Sequence, residues 1–178
     1  MPTRPARGSD VPALAELAAL TFPLATPAHV TAESEQQFID EVLSPERFEA
    51  YLADPDRDVL VSDADGVLAG YALLVHGETT DDDVRAALTL RPTAELSKCY
   101  VHPDAHGSGT AQQLVLAAFA AAESRGAQGM WLGVNQENVR AQRFYEKSGF
   151  VRVGTKRFRV GAGLEHDFVY ERPLRSGR

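Results

Sequence analysis

Cysteine is nearly absent from this 178-residue chain: Cys99 stands alone. A single thiol cannot close an intrachain disulfide or build a thiolate metal cluster. No metal is expected from the five histidines. Long apolar runs are missing too. None approaches the roughly 20 residues that a membrane-spanning helix needs, so no membrane partner is expected. The N-terminal MPTRPARGSDVPALAEL has no apolar stretch of the length a secretion signal carries, which makes a cytoplasmic protein the expectation. Basic residues are in deficit, 18 Lys and Arg against 25 Asp and Glu, for a net charge of −7. Phosphate-rich partners want a basic surface, so nucleic acid is disfavoured. The acidity favours a cationic small molecule mildly, and solubility alone would also account for it.

What is present is an ordinary globular core, with 44% apolar residues and a length that suits one domain over 1–178. Residues 3–7 read as a short strand. Ser9 or Asp10 then caps a helix marked by Val11, Leu14, Leu17, Ala18 and Thr21 at helical spacing. After the proline-interrupted FPLATPAHVT come two more helices, 32–43 and one opened by Ser44-Pro45. The texture changes at Asp58. Two apolar runs around Asp65-Gly66 predict a β-hairpin. Residues 77–94, acidic at Asp81 to Asp83, read as a loop. A strand over 95–102, a helix over 110–125, a strand over 129–135 and a helix over 138–148 follow. Two antiparallel strands joined by Gly-Ala-Gly close the chain. Helices first, then antiparallel strands, then a strand–helix–strand–helix run describe an α+β fold with a mixed, mostly antiparallel sheet.

The most telling segment is HPDAHGSGTAQQL, His102 to Leu114, a small-residue loop running into a helix. Such loops suit anions, because free N–H groups and a partial positive charge lie at the helix N-terminus. A P-loop is excluded, since Gly109 is followed by Thr110 and Ala111 rather than Lys and Ser/Thr. A dinucleotide fingerprint is excluded as well, because Gln112 stands where its third glycine belongs.

The loop resembles the acyl-CoA loop of the GNAT superfamily of N-acyltransferases, Gln/Arg-x-x-Gly-x-Gly/Ala after a strand ending in Val-x-Pro. Val101-His102-Pro103 ends the strand, His106 takes the Gln/Arg position, Gly109 the middle glycine and Ala111 the last small residue. Downstream, NVRAQRFYEKSGF is similar to the family's Asn-x-x-Ala-x-x-Phe-Tyr-x-x-x-Gly-Phe segment. The ELSKCYV, WLGV and C-terminal patterns further resemble the bacterial spermidine/spermine N-acetyltransferase branch. The resemblance implies a central sheet splayed to hold coenzyme A between strands 95–102 and 129–135, flanked by helices. It implies acetyl-CoA as co-substrate and transfer to the primary amine of a small molecule, with a polyamine among the acceptors. Alternatives are a protein or peptide N-acetyltransferase and a non-catalytic acyl-CoA-binding module. Relatives often dimerise, so a homodimer is a further expectation.

The resemblance also assigns roles. His106, Gly107, Ser108, Gly109, Thr110 and Ala111 would cradle the pyrophosphate, where small side chains let backbone N–H groups approach. The backbone of Cys99, Tyr100 and Val101 would pair with the pantetheine amides. Asn138 would reach the pantetheine or diphosphate, or cap its helix. Tyr145 would serve the departing thiolate as acid, with Phe144 turned into the core. Glu95 would take the amine proton; among the residues themselves Glu33, Glu35 and Asp167 are rivals, as is the absence of any dedicated base. Cys99 reads as a small apolar strand residue rather than a nucleophile.

Overall fold

A computed structural model describes residues 2–175. In chain order the elements are β1 (Thr3–Pro5), α1 (Val11–Ala25), α2 (Ala32–Val42), α3 (Pro45–Ala53), β2 (Arg57–Ala64), β3 (Val67–His76), α4 (Asp82–Ala87), β4 (Thr93–Val101), α5 (Thr110–Ser124), β5 (Gly129–Asn135), α6 (Val139–Lys147), β6 (Val151–Val160) and β7 (Gly163–Pro173). The seven strands form one sheet in the order β1-β2-β3-β4-β5-β7-β6. Only β4 and β5 run parallel. The expected α+β mixed sheet is therefore observed.

Local chemistry explains the boundaries. Thr31 and Ser44 cap α2 and α3, their hydroxyls accepting from the N–H groups of Ser34 and Arg47. Asp65 and Gly66 both adopt positive φ, 53° and 86°, as a tight hairpin turn between β2 and β3 requires. Three expectations need correction. The acidic 77–94 segment is not all loop: the Asp81 carboxylate accepts from Val84 N–H and starts α4, with Asp82 and Asp83 in the favourable first turn. β4 begins at Thr93, two residues early, because Thr93 and Ala94 already pair with β5. The first helix continues through Pro23 to Ala25, past the expected stop at Thr21.

The sheet buries both faces. On one side α5 sets Leu114, Val115, Ala118 and Phe119 against Leu74, Leu96, Met130, Leu132 and Tyr170. On the other, Leu14, Leu17, Phe22, Phe38 and Phe48 from α1 to α3 cover Val59, Val61, Tyr71 and Leu73. Val84 and Leu88 cover Trp131 and Val169 on that same second face.

The sheet is not closed along its full length. β4 and β5 pair at Thr93↔Gly129, Ala94↔Met130 and Glu95↔Trp131, and at no later position. β5 meanwhile stays paired with β7 as far as Asn135↔Asp167. Beyond Glu95 the two strands diverge, as the expected splay requires. A β-bulge sits at the fork: Leu74 pairs with Leu96 and Leu73 with Lys98, which leaves Ser97 as the extra residue.

The root of the fork is tightly packed. A Cβ built on Gly129 would lie 2.6 Å from Leu90 Cβ. Neither atom is the free end of a flexible side chain, so Gly129→Ala should destabilise the protein by about 1–3 kcal/mol. Urea unfolding followed by circular dichroism measures this. An unchanged midpoint would mean that Leu90 moves aside freely.

Candidate active site

The fork opens into a cleft of about 390 Å³ that draws on every layer of the fold. Its walls are set by the bulge. On a regular strand residues 95 and 98 would face opposite sides. The extra residue Ser97 turns Glu95, Lys98 and Tyr100 to the side of α1 and α2, and leaves Leu96, Cys99 and Val101 toward α5 and α6. The α1/α2 side of the cleft also receives Trp131 of β5, Lys156 and Phe158 of β6, Glu165 and Asp167 of β7, and the rings of Phe22 and Phe38. From α6 come Arg140, Ala141, Phe144 and Tyr145. Phe144 lines the cleft with Tyr145 rather than withdrawing wholly into the core, a correction to the sequence expectation.

Of the expected site residues, Glu95, Cys99, Tyr100, Val101, His106, Ala111, Asn138 and Tyr145 line this cleft. Gly107, Ser108 and Gly109 lie just outside it on the exposed loop that enters α5, and Thr110 is buried beneath them. Glu33 and Glu35, in the first turn of α2, do not line the cleft, whereas Asp167 does.

The loop has the features of an anion cradle. Gly107 and Gly109 have φ of 79° and 86°, which side-chain-bearing residues rarely adopt. A Cβ at either would project into open space. Among the described residues their N–H groups meet no protein acceptor. Ser108 Oγ donates to the Ala105 carbonyl and lies 2.7 Å from Thr110 Oγ1, so the loop is braced from within. Asn138 caps α6, its Oδ1 accepting from Ala141 N–H at 3.1 Å.

His106 is held by two partners. Its Nε2 lies 3.1 Å from the Val101 carbonyl and its Nδ1 lies 3.4 Å from Arg140 Nη2. An Nε2–H donating to the carbonyl would leave Nδ1 to accept from the guanidinium. His106 therefore positions Arg140 beside the loop. Sequence reasoning missed Arg140, although it stands inside the Asn-x-x-Ala segment. The Val101 carbonyl, expected to face an incoming amide, is already engaged by His106.

Burial dominates the titrations. It pushes Tyr145 well above the usual phenol value, with Cys99 and Tyr100 adding to the effect, so the hydroxyl stays protonated. Burial likewise pushes the Cys99 thiol up to about 12, despite a hydrogen bond with Tyr145. That value removes Cys99 as a nucleophile. Burial raises Glu95, while Lys98, Lys156 and Arg57 oppose the shift. It raises Asp167 to about 6 and pulls the Lys98 ammonium down to about 8.

A second cluster lies at the cleft's edge. His29, in the segment after α1, sets Nε2 2.9 Å from Glu165 Oε2 and Nδ1 3.4 Å from Glu137 Oε2. Asn135 Nδ2 also donates to Glu165 Oε1, at 3.1 Å. The hydrogen bond with Glu165 raises the His29 value. These groups could offer ligand atoms to a metal ion. With a carboxylate at each ring nitrogen, the arrangement is that of a bridging imidazolium.

A mixed sheet splayed between two strands, with a glycine loop at the mouth of the gap, is the architecture of an acyl-CoA-type N-acyltransferase. The match to the Acetyltransferase (GNAT) family over residues 14–150 establishes the particular assignment: the chain belongs to this family. It is 45% identical to an uncharacterized N-acetyltransferase of Mycobacterium tuberculosis, over 93% of this chain and 99% of that one. Its fold is similar to the PaiA N-acetyltransferase of Thermoplasma acidophilum solved with coenzyme A, with a TM-score of 0.77, 21% identity, and 97% and 98% of the two chains covered. The ribosomal-protein-S18-alanine N-acetyltransferase of Escherichia coli also shares the fold, at a TM-score of 0.68, 18% identity, and 99% and 96% coverage. Among the described residues no helix is long and apolar enough to cross a membrane.

The electrostatics of the α1/α2 side of the cleft can be measured directly. The Asp167 carboxyl should titrate at about 6 in carbon-detected NMR. Lys156 Nζ, 3.9 Å from Asp167 Oδ2, stabilises the ionised form. Lys156→Met should therefore move the Asp167 titration to higher pH. A shift to lower pH would mean that the variant admits water and relieves the burial.

Proposed function

We propose that this chain transfers an acetyl group from acetyl-CoA to the primary amine of a small molecule by direct attack. The observation that carries this reading is the fork itself, with Tyr145 on one wall and Glu95 and Asp167 on the other. Acetyl-CoA would supply a thioester, an acyl carbon already activated toward amines. The Gly107–Gly109 loop, whose two glycine N–H groups meet no acceptor among the described residues, the α5 N-terminus and Arg140 would form a site for the pyrophosphate. The backbone of Cys99 and Tyr100, on the part of β4 that β5 has left, would extend the sheet onto the pantetheine.

In this reading Glu95 takes the proton that the amine must lose before it attacks, and Asp167 holds the incoming ammonium ion. Raised carboxyl values bring a base closer to neutrality, where it works best. The new C–N bond forms as the C–S bond breaks, and the sulfur leaves with the electron pair. Tyr145 meets that charge as a hydrogen-bond donor. Its raised value makes complete proton transfer to a thiolate uphill, so its contribution is electrostatic first.

A polyamine acceptor, the expectation from the spermidine/spermine resemblance, finds support in the carboxylates Glu95, Glu165 and Asp167 and opposition in Lys98 and Lys156. A peptide acceptor would enter past Leu24, exposed at the cleft's edge. A silent acyl-CoA-binding module would not require a buried phenol on the wall of the gap.

Two variants test the halves of the site separately. Gly109→Val should weaken acetyl-CoA binding at least ~10-fold in calorimetric titration, equivalent to about 1.4 kcal/mol. Unchanged affinity in a folded variant would remove the loop from the phosphate site. Tyr145→Phe keeps the ring, so acetyl-CoA affinity should hold while kcat falls roughly 10²–10³-fold in a thiol-release assay. Near-normal kcat with chemistry rate-limiting would reduce Tyr145 to a wall of the pocket.

A further inference from the structure

The acceptor wall carries more positive charge than an amine-binding surface needs. Lys98 Nζ lies 5.7 Å from the Phe38 ring centre and Lys156 Nζ lies 5.1 Å from that of Phe158. The two rings themselves meet edge to face at 5.6 Å. The aromatic floor of the cleft is thus flanked by two ammonium groups. Lys156 stands near Asp167. Lys98 has no carboxylate partner among the described residues; its one polar contact is Ser97 Oγ at 3.4 Å. A cation drawn partly out of water with one long hydrogen bond and the face of one ring is costly unless a countercharge meets it.

The carboxylates are placed differently. Glu165 is committed to His29 and Asn135. Glu95 and Lys98 are each other's chief countercharge, yet they do not close into an ion pair. The Ser97 bulge places them on one face, side by side and separately available. That pattern suits a ligand whose own opposite charges sit one carbon apart.

We propose that the acceptor is a zwitterion, an α-amino acid with an apolar or aromatic side chain, whose carboxylate is received by Lys98 while its amine faces Glu95 and Asp167. The side chain lies over Phe158 and the edges of Phe22 and Phe38. A polyamine is selected against, because each additional ammonium group must approach Lys98 or Lys156. A carboxylate lost from the acceptor leaves the Lys98 charge unmet, which is where discrimination arises. The inference rests on reading this cleft as the acceptor site of an acetyl-CoA-dependent transferase.

The test separates the two. Coenzyme A is first titrated into the full chain by calorimetry; its failure to bind would overturn the transferase reading and this one with it. The coenzyme A-saturated protein is then titrated with N-acetylphenylalanine and with N-acetylphenylalaninamide, which lacks the carboxylate. The acid should bind at least ~10-fold more tightly. Lys98→Met should abolish that preference and leave coenzyme A affinity intact. In turnover, phenylalanine should exceed phenylalaninamide and spermidine in kcat/KM, and the Lys98→Met loss should fall on KM rather than kcat. Intact coenzyme A binding with equal affinity for acid and amide, with neither bound, or with spermidine as the better acceptor, would overturn the zwitterion alone.

Discussion

Everything in this protein that bears on chemistry follows from one interruption: β4 stops pairing with β5 after Glu95↔Trp131. A parallel pair leaves its backbone groups satisfied only while the strands stay together. Once they part, the N–H and C=O groups on the facing edges need other partners. A continuous sheet would have placed Trp131, Glu95 and Lys98 among buried neighbours with no space between them. The fork converts what would be core into two walls, and α6 can then offer Tyr145 to the gap from below. Gly129, opposite Thr93 at the root, packs tightly against Leu90.

The bulge at Ser97 is the second half of the same device. It changes which face Lys98 and Tyr100 present, and it does so without disturbing β3, whose pairing continues to Gly70↔Val101. Chemistry and packing are thereby sorted onto opposite sides of one strand. Leu96, Cys99 and Val101 serve the α5 side, while Glu95, Lys98 and Tyr100 serve the acceptor side. Gly133 contributes by omission. A Cβ there would lie 3.0 Å from Asp167 Oδ2 and 3.2 Å from Lys156 Cδ, so the missing side chain makes room for that pair.

Legibility in the sequence divided along physical lines. Local signals were readable: the Ser44-Pro45 helix start, the Asp65-Gly66 turn, and the small-residue loop before α5 depend on neighbours in the chain. The acidic run at Asp81 to Asp83 misled because charge suggested solvent, whereas Asp81 was a cap. Side-chain partnerships across the fold were not readable. His29 meets Glu165 only because the segment after α1 crosses to β7. Arg140 reaches His106 only because α6 packs beside the loop. Lys98 was hidden for a sharper reason: alternation along a strand predicts its face, and a single extra residue inverts that prediction.

His106 shows why a departure from a motif is weighed in its surroundings. At the position where related loops carry Gln or Arg, an imidazole looks like a loss of cationic reach. In the fold its Nε2 meets the Val101 carbonyl and its Nδ1 faces a guanidinium. The cation beside the loop stands on α6, and the histidine is its positioning residue. A planar guanidinium so held can present paired donors to a phosphate, which the imidazole could not. With Arg140 beside the loop, the histidine at this position is compatible with the acyl-CoA site proposed here.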